Sequence, residues 1–168
     1  MKLDLRKGDL FLSRNPMMLG RIINANQKFW STDNKSKYSH AGIIIDRYGT
    51  TLEALWTFKY QNLYEGYKDT EILIARHKEM TSNVFNKGYD AIKHHIGQWY
   101  PFYRIILMII PPIGKYIHWN RIVCSEANYK FINKCGLSND EWFGKTPDNL
   151  HDLVINSKDY DIIFEGKI

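Results

Sequence analysis

The sequence is poor in cysteine. Its two, Cys124 and Cys135, cannot supply the disulfide framework of a small secreted domain. They form no C-x-x-C pair, so no zinc motif starts from them. Glycine (11) and proline (5) are too few for collagen or a low-complexity chain. No block of five like charges, no repeat and no Pro/Gly/Ser linker occurs. No H-E-x-x-H and no glycine-rich phosphate loop is present. The adjacent pair His94-His95 points to different faces of a helix, because neighbours lie about 100° apart. No metal and no cofactor is therefore expected.

Long apolar runs are also missing. The N-terminus, MKLDLRKGDLFLSR, alternates charged and apolar residues and has no signal-peptide core. The longest apolar stretch, Ile105–Ile113, is about half the ~20 residues that cross a bilayer. A cytoplasmic, reducing setting with two free thiols is expected. The stretch Ile105–Ile113 reads either as a buried segment or as an apolar lip that rests on a membrane surface or faces substrate.

What is present is an ordinary globular composition. The chain has 168 residues, 44% of them hydrophobic and 14% aromatic, enough to bury a core in one domain spanning 1–168. The net charge of +5 favours anionic partners without choosing among them. Aromatics interleaved with lysine at Trp56–Tyr60 could stack nucleobases. They read better as strand and rim packing, and no nucleic-acid partner is expected. Usage of Ile, Lys, Asn and Tyr suits an AT-rich genome, bacterial or viral.

The periodicities predict a strand over 8–13, a helix over 16–29, and a polar loop over 31–37. Strands follow at His40–Ile45, Thr51–Trp56 and Thr70–His77. Helices are predicted over 80–97, 121–134 and from Pro147 to Leu153, then a last strand at Asp161–Phe164. Short turns between the central strands imply a mainly antiparallel sheet. The class is α+β, with helices grouped to one side.

Three residues could carry chemistry. His40 opens an apolar strand in Tyr38-Ser39-His40-Ala41-Gly42-Ile43, where the small Ala41 and Gly42 allow backbone or substrate to approach. If the next strand folds back about the Tyr48-Gly49 turn, residue 43 pairs roughly with 52, and Glu53 comes close to His40. A glutamate in an apolar strand costs free energy unless partnered. His40 would partner it, and the carboxylate would fix the ring's tautomer. Cys124 falls in the first turn of a helix, where free N–H groups and the dipole favour thiolate. Those N–H groups could also hold an oxyanion. Cys135, at the other end, reads as a structural thiol. Each residue also has a plain reading: a strand-edge histidine, a solvent-facing glutamate, a buried cysteine.

Taken in order, Gly8-Asp9, Ser39-His40-Ala41-Gly42-Ile43, Glu53, Gly97-Gln98-Trp99-Tyr100, Cys124-Ser125-Glu126 and Thr146-Pro147-Asp148-Asn149-Leu150 span nearly the whole chain. The chain resembles the YiiX-type permuted papain-like amidases, the circularly permuted branch of the NlpC cysteine peptidase superfamily. The histidine precedes the cysteine, the mark of permutation. The resemblance implies a permuted papain-like fold, with Cys124 as nucleophile, His40 as base and Glu53 as orienter. Tyr38, Ser39, Tyr100 and Ser125 are expected at the substrate. The reading that follows is a cysteine hydrolase acting on an amide, in a peptide or an acylated amine, through a thioester. A lipid-directed thioesterase or acyltransferase is the alternative, since relatives of the permuted fold include lecithin:retinol acyltransferases. A binding module that keeps the triad is the third.

Overall fold

The computed structural model describes residues 3–14, 37–101 and 122–168. The predicted helix over 16–29, most of the loop over 31–37 and the apolar stretch Ile105–Ile113 lie outside these residues.

Six strands form one sheet: β1 (Leu10–Ser13), β2 (His40–Ile44), β3 (Thr50–Ala54), β4 (Phe58–Asn62), β5 (Glu71–His77) and β6 (Tyr160–Lys167). Their spatial order is β4-β3-β2-β1-β5-β6, and every neighbouring pair is antiparallel. Four α-helices accompany it among the described residues: α1 (Leu63–Gly66), α2 (Ser82–Ile92), α3 (Cys124–Lys134) and α4 (Pro147–Asn156). A 3-10 turn, Lys93–His95, extends α2. The α+β class and the antiparallel sheet agree with the sequence reading.

Alternation sorts the strands into two faces. Leu10, Leu12, Ala41, Ile43, Leu52, Leu73 and Ala75 share one core with Phe85 and Ile92 of α2, Phe131 and Ile132 of α3, and Leu150 and Val154 of α4. Phe11, Ile44, Ile72 and Ile74 face the other way and pack with Leu5, Leu63 and Tyr67. The helices are thus not all on one side. The short α1 brings Leu63 to the second face.

The strand β4 is absent from the sequence reading, which passes from Thr51–Trp56 directly to residue 70. It is an edge strand, and its Lys59 and Tyr60 are exposed, so no apolar alternation marks it. It ends in Asn62, whose side-chain oxygen accepts from the Tyr64 and Glu65 N–H groups and so starts α1.

The opening Gly8-Asp9 pair has a structural task. Gly8 adopts φ +91°, and a Cβ there would sit 2.6 Å from the Met80 side chain. Asp9 is fully buried and takes Arg76 on both oxygens, Nε to Oδ1 and Nη2 to Oδ2, each at 2.8 Å. It also accepts the Arg6 N–H at 2.8 Å. The pair ties the chain before β1 to β5.

Candidate active site

The hairpin of β2 and β3 sets the first two groups. Asp46 Oδ1 accepts from the Tyr48 and Thr50 N–H groups, and Gly49 takes φ +87°, so the turn is fixed from within. The register is then Ile43 opposite Leu52 and Gly42 opposite Glu53. His40 lies two residues from Gly42 on the same face, diagonal to Glu53. Its Nε2 is 2.6 Å from Glu53 Oε2. Gly42 is needed here because a Cβ would lie 2.5 Å from the Phe11 ring and 3.0 Å from Glu53 Cβ. The sequence reading took the small residue to admit backbone or substrate. What it admits is the Phe11 ring and the glutamate itself.

Glu53 is 1% exposed. Besides His40 it accepts the Thr51 hydroxyl on Oε1 at 2.6 Å and the Tyr67 hydroxyl on Oε2. Burial pushes its carboxyl up, but His40 and the two hydroxyls outweigh burial and hold it below the ordinary range. The solvent-facing reading of Glu53 does not apply.

Helix α3 sets the third group. Val123 is its N-cap residue, extended and without a capping side chain. The carboxylate of Glu126 compensates: Oε2 accepts the Val123 N–H at 3.2 Å, and Oε1 accepts the Gly144 N–H at 2.9 Å. Cys124 is the first helical residue, as the sequence suggests, and is 3% exposed. Asn128 Nδ2 donates to its carbonyl at 2.8 Å. The thiol meets the start of β2. It is hydrogen-bonded to the His40 ring, the Ala41 N–H and the Tyr100 hydroxyl.

These contacts set the charge states. Burial would raise the Cys124 thiol, but His40, the Ala41 N–H and Tyr100 lower it. Burial would lower His40, but Cys124 and Glu53 on its two sides raise it to about 10. The arrangement favours thiolate beside imidazolium. At the far end of the same helix, burial pushes the Cys135 thiol up to about 11. Both cysteines are free.

The other four sequence candidates are placed less uniformly. Tyr100 reaches the thiol. Ser125 is buried and donates to the Lys145 carbonyl at 2.6 Å, a tie between α3 and the segment before α4. Tyr38 is buried, with its hydroxyl 3.2 Å from Glu165 Oε1 and its ring 5.3 Å from His151. Ser39 is buried, and its N–H donates to the Ser13 carbonyl at 3.1 Å. Sequence reasoning missed Thr51, Tyr67 and the Ala41 N–H. Thr51 could have been found, since it sits two residues before Glu53 on the same strand face. Tyr67 could not, because only the fold-back through α1 brings it under β3.

Among the described residues no three His, Cys, Asp or Glu side chains gather as metal ligands. No helix among them is long and apolar enough to cross a membrane.

No protein-family model matches the chain. No curated protein matches it in sequence. Its fold is similar to the crystal structure of the metalloprotein yiiX from Escherichia coli O157:H7. The TM-score is 0.67 at 16% identity, over 98% of this chain and 99% of that one. The likeness extends over both chains almost end to end, and at this identity it speaks for the fold.

Proposed function

We propose that this YiiX-like fold carries a cysteine-dependent hydrolase of the permuted papain-like type, acting on an amide bond in a peptide or an acylated amine. The observation that carries the reading is the His40 ring held between Cys124 and Glu53. Base, orienter and helix-N-terminal nucleophile are thereby assembled from two strands and a helix.

In the proposed reaction the Cys124 thiolate attacks the amide carbonyl, and a tetrahedral oxyanion forms. The Cys124 N–H at the start of α3 is one donor for it. The imidazolium of His40 gives its proton to the leaving nitrogen as the C–N bond breaks, which leaves a thioester and a neutral imidazole. A water then loses a proton to His40 and adds to the thioester carbonyl. Collapse breaks the C–S bond, releases the carboxylic acid and restores thiolate and imidazolium.

The name of the structural neighbour raises metal-assisted chemistry. Among the described residues the donors do not fit it. Glu53 already holds His40 Nε2, and the described residues contain no ligand cluster. No step is routed through a metal.

A second reading, lipid-directed thioester or acyl-transfer chemistry, draws on Trp56 and Trp99. They are 61% and 66% exposed, and they flank Tyr100 where residues 56–58 bridge 98–100. Exposed tryptophans at the rim of a thiol site suit an acyl chain or a bilayer surface.

The test is labelling of the intact protein with an iodoacetamide probe at neutral pH, followed by turnover on paired amide and long-chain thioester substrates. Selective labelling of Cys124, with turnover lost in Cys124→Ala, is expected. Amide turnover favours the first reading and thioester turnover the second. An unlabelled Cys124 in the folded protein overturns both and leaves a binding module.

A further inference from the structure

The triad reading gives Glu53 one task, to face His40. Its carboxylate has about four lone-pair sites, and in this fold three of them are filled. Thr51 Oγ1 lies 2.6 Å from Oε1, and the Tyr67 hydroxyl donates to Oε2, the oxygen that also meets His40. Neither hydroxyl is needed to bring His40 and Glu53 together, because the hairpin register does that. Tyr67 comes from beyond α1. Its ring packs edge-on against Phe11 at 5.1 Å and nearly parallel to His40 at 6.2 Å.

A carboxylate this deeply buried would ordinarily take up a proton. The nearest proton is the one on His40 Nε2. If it moved, Glu53 would be a neutral acid, His40 a neutral ring, and the Cys124 thiolate would lose its counter-cation. Two O–H donors aimed at the carboxylate oppose the transfer, since a hydroxyl bonds a charged carboxylate more strongly than a neutral carboxyl. The Thr51 hydroxyl has a single proton and two acceptors within reach, Glu53 Oε1 at 2.6 Å and the Gln61 carbonyl at 3.1 Å. The shorter contact is to the carboxylate, the stronger acceptor of the two.

We infer that Thr51 and Tyr67 are positioning residues that act through Glu53 to keep the shared proton on His40. The inference rests on the cysteine-hydrolase reading and deepens it. Among the described residues the titratable groups that face the pair are Tyr67 from the second face of the sheet and, across the imidazole, Cys124 of α3 with Tyr100.

The test needs no substrate. The rate of Cys124 alkylation by iodoacetamide is followed by mass spectrometry from pH 4 to 9 on the full chain. The proteins are wild type, Tyr67→Phe, Thr51→Val, Thr51→Ser and Glu53→Gln. Removing either hydroxyl should move the acid limb of the profile up by about half to one unit, roughly a 3–10-fold slower reaction on that limb. Thr51→Ser, which keeps the hydroxyl, should follow wild type. An acid limb unmoved in Tyr67→Phe and Thr51→Val but moved in Glu53→Gln overturns the inference and leaves the triad reading standing. A limb unmoved in Glu53→Gln as well removes the triad reading itself. A lower melting temperature with an unmoved limb assigns both hydroxyls to stability alone and also overturns the inference. Should Tyr67→Phe fail to fold, the Thr51 pair decides by the same criterion.

Discussion

The role proposed for Glu53 in the chemistry and its part in stability separate experimentally. In Glu53→Gln an amide still meets His40 but brings no charge to stabilise imidazolium. Turnover should fall by on the order of 10–10³, less than in Cys124→Ala, because a Cys–His pair leans on its third member less than a serine triad does. Paired kcat/KM and melting measurements check this. Unchanged turnover at unchanged stability would remove Glu53 from the reaction. Stability should follow pH through the same residue. The folded carboxyl titrates below its ordinary value of 4.5. Its contribution is therefore present above that value and lost as pH falls through the depressed one. Between pH 5 and 3, wild type should lose melting temperature more steeply than Glu53→Gln, and parallel curves would contradict that sign. The two cysteines offer a comparison within one molecule. Iodoacetamide at pH 7.5 should modify Cys124 well before Cys135, whose thiol burial raises to about 11. His40→Ala should slow only Cys124. Much of this was legible in the sequence, because His40, Glu53 and Cys124 each break a local pattern. Thr51 and Tyr67 break none, and a hydroxyl's importance appears only once its partner's burial is known.

At the scale of elements, the β2–β3 hairpin was the readable part and the strand after it was not. A turn held by Asp46 and Gly49 allows one register, so counting outward from it put residue 43 against 52, as found. Strand β4 buries only Phe58 in the core and otherwise pairs at a sheet edge through its backbone, so its exposed Lys59 and Tyr60 leave no apolar alternation to read. Helix α3 was legible at its start and end but not in how it packs. Gly88 of α2 faces it, and a Cβ there would sit 2.5 Å from Cys135 Sγ and 2.6 Å from the Phe131 ring. Gly88→Ala should therefore lower the stability by about 1–3 kcal/mol, although alanine is the better helix former in isolation. Chemical denaturation measures this. A stabilised Gly88→Ala would mean that the two helices part without strain.

On the scale of the whole molecule, the sheet joins segments far apart in the chain. β1 lies between β2 and β5, and β6 closes the far edge against β5. Folding should be correspondingly slow, since long loops close before these pairings form. The Asp9–Arg76 pair holds the chain before β1 to β5, with Asp9 wholly buried. Asp9→Ala removes two carboxylate contacts from Arg76, which keeps only Asp4, and frees the Arg6 N–H. It should cost about 1.5–3 kcal/mol in denaturant titrations, the range for lost hydrogen bonds to a charged group, while the alkylation rate of Cys124 per folded molecule stays at the wild-type level. A loss below about 1 kcal/mol would show that water replaces the carboxylate without penalty. The sequence presented Gly8-Asp9 as part of a resemblance, and only the fold shows that its work is mechanical.

The order of the reacting groups along the chain also has a meaning in time. A ribosome delivers β2 and β3 well before α3, at roughly 5–20 residues per second. For that interval the nascent chain carries the proposed base and its carboxylate without Cys124. When Cys124 emerges, its sulfur is an ordinary thiol until the helix behind it has formed and docked against the first residues of β2. On the proposed reading, reactivity is conferred on the cysteine by its destination, and a stalled or misfolded chain exposes a thiol that has never been switched on.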